Sequence, residues 1–231
     1  MPYHIAGTIN AVLFVLSLSG LGAQLARIWR RRRSAVVRSD RPTAVLSLNY
    51  FFVSFIAYYA FVVYGYCVRP FNHYLVWPRL AGCVLLLAVL WEIARDRADR
   101  NSRGAVAIAL AMLTGGMGSL VLSPPILIEG RTISQGLSLI AAVLIVQGLV
   151  HQIRMIRKSG HTGEVSPVLH LFTGVKDAST LAFGVTMGLA AGWPLVVMGG
   201  SSAALKVLLL YQFRWASRSH AAALRRREHA V

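Results

Sequence analysis

The sequence predicts an all-α integral membrane protein with seven transmembrane helices ordered as three, one and three. Three observations carry that prediction. Seven apolar segments recur along the chain, each close to the ~20 residues a bilayer-spanning helix needs. Arg and Lys cluster in alternate gaps between those segments, and the last three segments echo the first three. Composition agrees: the 231 residues are 56% hydrophobic and only 14% charged, with mean hydropathy +0.58, whereas soluble domains average about 25% charged.

The first segment runs from about Ile5 to Ala26 and ends in the basic run Ala26-Arg27-Ile28-Trp29-Arg30. Only His4 precedes it and the arginines follow it, the reverse of a cleavable signal peptide, so it reads as a retained first span. The second, Ala44 to Val68, is rich in Phe and Tyr, and a third spans Tyr74 to Ala94. The fourth, Ala105 to Leu122, is interrupted by Thr114-Gly115-Gly116-Met117-Gly118. Those glycines permit close helix packing, either in a linker between repeats or in the face of a homo-oligomer. A fifth covers Gln135 to Gln152, the sixth Val165 to Leu189, and the seventh Trp193 to Phe213.

The gap after the first span holds Arg27, Arg30 to Arg33, Arg38 and Arg41; the next holds Arg69. Arg95, Arg97, Arg100 and Arg103 fill the third gap, and Arg131 alone the fourth. The fifth holds Arg154, Arg157 and Lys158, the sixth none, and the tail carries Arg214, Arg218 and Arg225 to Arg227. Rich and poor gaps alternate throughout, which puts the N-terminus outside and the C-terminus in the cytoplasm of a cell (inner) membrane. The excess of 24 Lys+Arg over 8 Asp+Glu therefore reads as topology and attraction to anionic lipids at the cytoplasmic face, not as a nucleic-acid surface. Cys67 and Cys83 have no metal or redox spacing and read as small apolar fillers.

Self-similarity divides the chain further. Gln24 and then Ala26-Arg27-Ile28 are echoed by Gln152 and then Arg154-Met155-Ile156. A basic loop follows each, then Leu46-Ser47 or Val165-Ser166. Tyr64-Gly65 and Phe183-Gly184 recur at one offset from those serines, and both third helices open with Trp-Pro, at Trp77-Pro78 and Trp193-Pro194. One span separates the triplets, so both run the same way through the membrane: a parallel repeat. The expected divisions are a first three-helix repeat over 1–98, a linker helix over 99–131, a second repeat over 132–216 and a basic tail over 217–231.

This plan, with a Gln near the end of each repeat's first helix, a basic loop and then a Ser, resembles the PQ-loop and SWEET superfamily of membrane transporters. The resemblance implies two parallel three-helix bundles joined by a linker helix, with a small-molecule substrate held between them. The proline before the motif's Gln is replaced by Ala23 and His151. Sugar-carrying members have an Asn one turn into each third helix; here those places hold Ala81-Gly82 and Met198-Gly199, which argues against sugar.

The candidate site centres on the sixth span. Lys176 and Asp177 lie at its middle, where each ionised group costs roughly 2.5 to 3.5 kcal/mol on insertion scales. His170, Thr173, Gly174, Asp177, Thr180 and Gly184 share one helical face. Lys206 lies twelve residues after Pro194, at the same depth as Asp177, about 20 Å below the outer surface at ~1.5 Å per residue. Because neighbours on a helix stand ~100° apart, Lys206 is the expected partner of Asp177, which leaves Lys176 for another acceptor or solvent. In register, Asp177 corresponds to Tyr58, and Tyr58 and Ser54 are expected to face the site from the first half. Gln24 and Gln152 are candidates to cap backbone groups where helices bend, and Pro78 and Pro194 are candidate hinges. Arg79 is expected to snorkel outward, and Glu92 to face the basic loop.

The function expected from these residues is carriage of a small polar metabolite, coupled to protons through Asp177, with His170 as a relay. The alternative is a non-transporting receptor, chaperone or assembly partner in which Asp177 and Lys206 form a structural pair. No HExxH, GxSxG or CxxC is present, so neither an enzyme nor a cofactor or metal is expected.

Overall fold

A computed structural model describes residues 1–34, 43, 46–68, 70–116, 118, 127–160, 162 and 167–228. Among them there is no β-strand. The helices are α1 (Pro2–Ser34), α2 (Leu48–Cys67), α3 (His73–Arg97), α4 (Arg100–Ala111), α5 (Leu127–Ser159), α6 (Pro167–Thr186), α7 (Leu189–Arg218) and α8 (His220–Glu228). Five are long and apolar enough to cross a membrane: α1, α2, α3, α5 and α7. At 20 residues, α6 has spanning length, but its polar face holds it below the apolarity of those five. Its opposite face, Leu171, Phe172 and Val175, is exposed and apolar. The segment expected as a fourth span begins as the 12-residue α4 and passes into a π-helical turn, Met112–Gly116, at the glycine-rich interruption; its expected end at Leu122 lies outside the described residues, as do Arg38, Arg41, Arg69, Val165 and Ser166.

Several boundaries follow from identifiable caps. Ser47 Oγ accepts from the Tyr50 amide at 3.2 Å to start α2, and Asn72 Oδ1 accepts from Leu75 N at 3.1 Å to start α3. Asp99 Oδ1 accepts from Ser102 N at 2.7 Å to start α4. Each side-chain oxygen satisfies an amide that has no partner within its helix. Gly188, at φ +79, turns the chain between α6 and α7 in a left-handed conformation that a Cβ would strain. α1 runs past its expected end at Ala26 to Ser34, because arginine is a good helix former and Arg32 is anchored. Its Nη1 pairs with Glu92 Oε2 of α3 at 2.5 Å, and Trp29 Nε1 donates to Glu92 Oε1 at 3.2 Å. Glu92 thus faces the basic run, as expected.

The chain packs as two compact units. One comprises Met1–Leu13 with Ala142–Val231, the other Phe14–Ala141. The boundaries fall inside α1 and α5 at Phe14 and Ala142, which are 128 residues apart, the same offset as Gln24 and Gln152.

In the Phe14–Ala141 unit, α2 and α3 pack on each other and on α4. Phe51, Phe55 and Tyr59 at four-residue spacing on α2 meet Val76, Cys83, Leu86, Leu90 and Ile93 of α3, joined by Leu25 and Ile28 of α1. Arg79 departs from expectation: it is 1% exposed instead of snorkelling. Its guanidinium lies 4.7 Å from the Phe14 ring centroid and 5.4 Å from that of Phe61. Two ring faces compensate the buried cation through their quadrupoles, so the side chain need not reach an interface.

In the other unit, α6 and α7 form a closely packed antiparallel hairpin, and Leu149 and Ile156 of α5 pack against Leu209 and Ala216 of α7. Internal geometry repeats between the units. Pro78 and Pro194 are each buried and each the sixth residue of its helix. Tyr64 and Phe183 are fully buried, and the glycine after each meets the third helix: a Cβ on Gly65 would stand 2.7 Å from Leu75 Cβ, and one on Gly184 2.9 Å from Leu195 Cβ.

Candidate functional site

The hairpin of α6 and α7 builds the site. Gly174, Asp177, Leu181 and Gly184 line one face of α6; Leu195, Gly199, Ser202 and Lys206 line the apposed face of α7. Small residues set how closely they approach. A Cβ on Gly199 would lie 2.8 Å from both Asp177 O and Leu181 N, so α7 meets the α6 backbone here with no room for a side chain. From Gly199, three and seven residues on, Ser202 and Lys206 reach the Asp177 carboxylate. The aliphatic stem of Lys206 crosses Gly174, whose added Cβ would be 3.7 Å from Lys206 Cβ.

Three donors converge on Asp177. Ser202 Oγ donates to Oδ2 at 2.6 Å, Lys206 Nζ also binds Oδ2, and Lys176 Nζ pairs with Oδ1 at 2.9 Å. Lys206 is therefore the partner the depth argument predicts. Lys176 is a correction, since it shares the same carboxylate. Its backbone points ~100° away, but a four-carbon stem is long and flexible enough to turn the ammonium back. The side chains of Lys176, Asp177 and Lys206 are only 10%, 7% and 12% exposed. Two lysine side chains thus share one carboxylate.

A second polar group adjoins it. Ser179 Oγ and Thr180 Oγ1 both donate to the Lys176 carbonyl, at 2.6 and 3.1 Å. With their protons committed, both hydroxyls accept from Asn10 Nδ2 of α1, at 3.0 and 2.8 Å. That arrangement fixes the amide's orientation and leaves Asn10 Oδ1 buried with no hydrogen-bond partner among the described residues. Asn10 itself is 0% exposed. His170 is half-buried on α6, with Nδ1 also lacking a partner and Lys206 within electrostatic reach. Thr173 Oγ1 approaches the His170 carbonyl at 3.4 Å.

The structure thus assembles Lys176, Asp177, Lys206 and Thr180 in one unit, with His170 and Thr173 towards the N-terminal end of the same helix. Ser54 and Tyr58 belong to the other unit. There Ser54 Oγ donates to Tyr50 O at 2.8 Å, and the Tyr58 ring lies 4.9 Å from that of Phe14. Gly82 packs against the Tyr58 ring, where Gly199 packs against α6 backbone: a Cβ on Gly82 would be 2.6 Å from Tyr58 Cδ2. Gln24 and Gln152 are half-buried and lie in helix interiors, away from helix ends. Asn10 and Ser202 were not anticipated. Asn10 is a lone amide in an otherwise apolar first span, and Ser202 lies one turn from Lys206; those were the available signals.

Compared with known proteins, the chain matches no family model and no curated protein.

Proposed function

We propose that the protein is a multi-pass carrier of a small polar metabolite, with seven crossings in the three-one-three plan of the PQ-loop and SWEET superfamily. In this reading the N-terminus is outside, the C-terminus is cytoplasmic, and the polar cluster on α6 and α7 is the substrate site. The observation that carries it is the buried Lys176–Asp177–Lys206 triad on a helix of spanning length. Ionised residues at such depth are costly and mark solute or proton paths. Matching placements of Pro78 and Pro194, and of the close-packed Gly65 and Gly184, support descent of the two halves from one unit.

Proton coupling through Asp177 fits as a step in the cycle. Protonating the carboxyl loosens its hold on both lysines, and an arriving substrate group takes its place. One observation favours a second reading: both oxygens of Asp177 already have protein donors, as a structural clamp between α6 and α7 would require. Uptake by proteoliposomes under an imposed pH gradient separates the two. A carrier accumulates solute in the wild type and loses that gradient-driven accumulation in Asp177→Asn, per molecule of folded protein. A clamp shows no flux in the wild type.

A further inference from the structure

We propose that the corner between α7 and α8 is a discrete binding site for an anionic phospholipid, whose phosphodiester sits between Arg214 and Arg218. The site stands apart from the Asp177 cluster and holds whether or not the protein is a carrier. It is also more than the general pull of basic loops on anionic lipid, because these side chains form one built seat.

The arginines at this end of the unit divide into two sets. Arg157 of α5 and Arg225 of α8 tie the helices together. Arg157 Nε donates to Gln212 Oε1 of α7, and Arg225 Nη1 donates to the Arg157 carbonyl in the last turn of α5. Both guanidinium groups lie over the Trp215 ring, 4.6 and 5.7 Å from its centroid, and these cation–π contacts hold the indole in place. Arg214 and Arg218 take no part in that tie. They stand one turn apart on α7, both exposed, and line an open cleft of about 190 Å³ together with Tyr211, Trp215 and Ser219.

Size and surroundings select the ligand. The cleft is smaller than the roughly 300–1,000 Å³ of pockets that enclose a whole small molecule, so it seats a headgroup. Guanidinium forks bind phosphate oxygens bidentately, and the Ser219 hydroxyl adds a donor beside them. The residues before the arginines favour a lipid over a free phosphate ester. Val207, Leu208 and Tyr211 are exposed, and Val207, Tyr211, Arg214 and Arg218 follow the i, i+4, i+7, i+11 spacing of one helical face. An acyl chain lies along the apolar part of that stripe while the phosphate reaches its basic end, as where a spanning helix leaves the bilayer. α7 is long and apolar enough to be such a helix. The ammonium of a choline lipid would seek the Trp215 ring, which already carries two guanidinium groups. The site therefore favours a headgroup with no cation of its own, such as phosphatidylglycerol.

The test is the melting temperature of the purified full-length protein in neutral detergent, titrated with short-chain phosphatidylglycerol, short-chain phosphatidylcholine or free glycerol phosphate. Phosphatidylglycerol should raise it saturably, and the other two should not. Arg214→Gln combined with Arg218→Gln should weaken phosphatidylglycerol binding about thirtyfold, the scale of two arginines at a headgroup. Arg218→Gln alone should weaken it about fivefold and serves should the double variant fail to fold. Arg100→Gln with Arg103→Gln removes the same charge from α4 and should change binding less than about twofold, because salt screens charges that do not touch the lipid. Equal stabilisation by phosphatidylcholine overturns the anionic headgroup, and equal stabilisation by glycerol phosphate overturns the lipid. Equal losses in the α7 and α4 variants, or no response to any of the three compounds, overturn the site.

Discussion

Removing one member of the triad at a time should destabilise the fold by unequal amounts, in an order its charges dictate. Asp177 holds two lysines and Ser202. Asp177→Asn strands both ammonium groups together in a buried site, so it should cost about 3–5 kcal/mol, as breaking a buried pair by removing one partner typically does. Lys206→Met removes one donor and leaves one lysine on the carboxylate. The carboxylate keeps Lys176 and Ser202, and methionine replaces the apolar stem over Gly174. The loss is then one hydrogen bond to a charged group, about 1.5–3 kcal/mol. The double variant should be less destabilised than Asp177→Asn alone, because only one lysine has then lost the shared carboxylate. Reversible unfolding in mixed detergent, followed by circular dichroism, measures all three. Additive losses, or Lys206→Met costing more than Asp177→Asn, would refute the reasoning.

Replacing Arg79 by Met should destabilise by about 2 kcal/mol, the scale of a desolvated cation–π contact, and Arg79→Lys should not recover it because an ammonium lacks the planar stacking face; thermal unfolding reads both. Overpacking costs about 1–3 kcal/mol, and Gly199→Ala should lie at the upper end and Gly82→Ala at the lower. Gly199 meets fixed α6 backbone, whereas Gly82 meets a tyrosine ring that can give way. Equal melting temperatures would contradict that. The Asp99 carboxyl is held below the usual aspartate range by the Ser102 amide it accepts from. Its capping contribution is therefore present above the unfolded aspartate pKa and lost as pH falls through the lowered one. The protection of the Ser102 amide, its exchange rate relative to the intrinsic rate at each pH, should fall in acid for the wild type, and Asp99→Ser should remove that pH dependence.

How far these features could be read in advance depended on whether their partners were local. α2 and α3 were legible because each is a long apolar run, although the Ser47 and Asn72 caps that start them were not read in advance, and the π-helical turn fell on the glycine cluster. Asp177 and Lys206 could be paired from depth alone, since helical rise converts sequence distance to height. Lys176 was misplaced because angular position on a helix constrains a backbone better than a flexible side chain. Arg79 was misread for a different reason: Phe14 and Phe61 come from other helices, and no local pattern announces that two rings will enclose a cation. The same holds for Asn10, whose partners Ser179 and Thr180 lie some 170 residues away.

The most direct measurement is the water accessibility of Ser202, the hydroxyl on Asp177. With Cys67 and Cys83 replaced by alanine, a Ser202→Cys variant in sealed vesicles can be exposed to a membrane-impermeant thiol reagent from either side. A carrier that opens its site alternately predicts reaction from both faces. Cysteine that stays unmodified from both faces, with and without solute, would mean that the triad is a dry clamp and not a transport site.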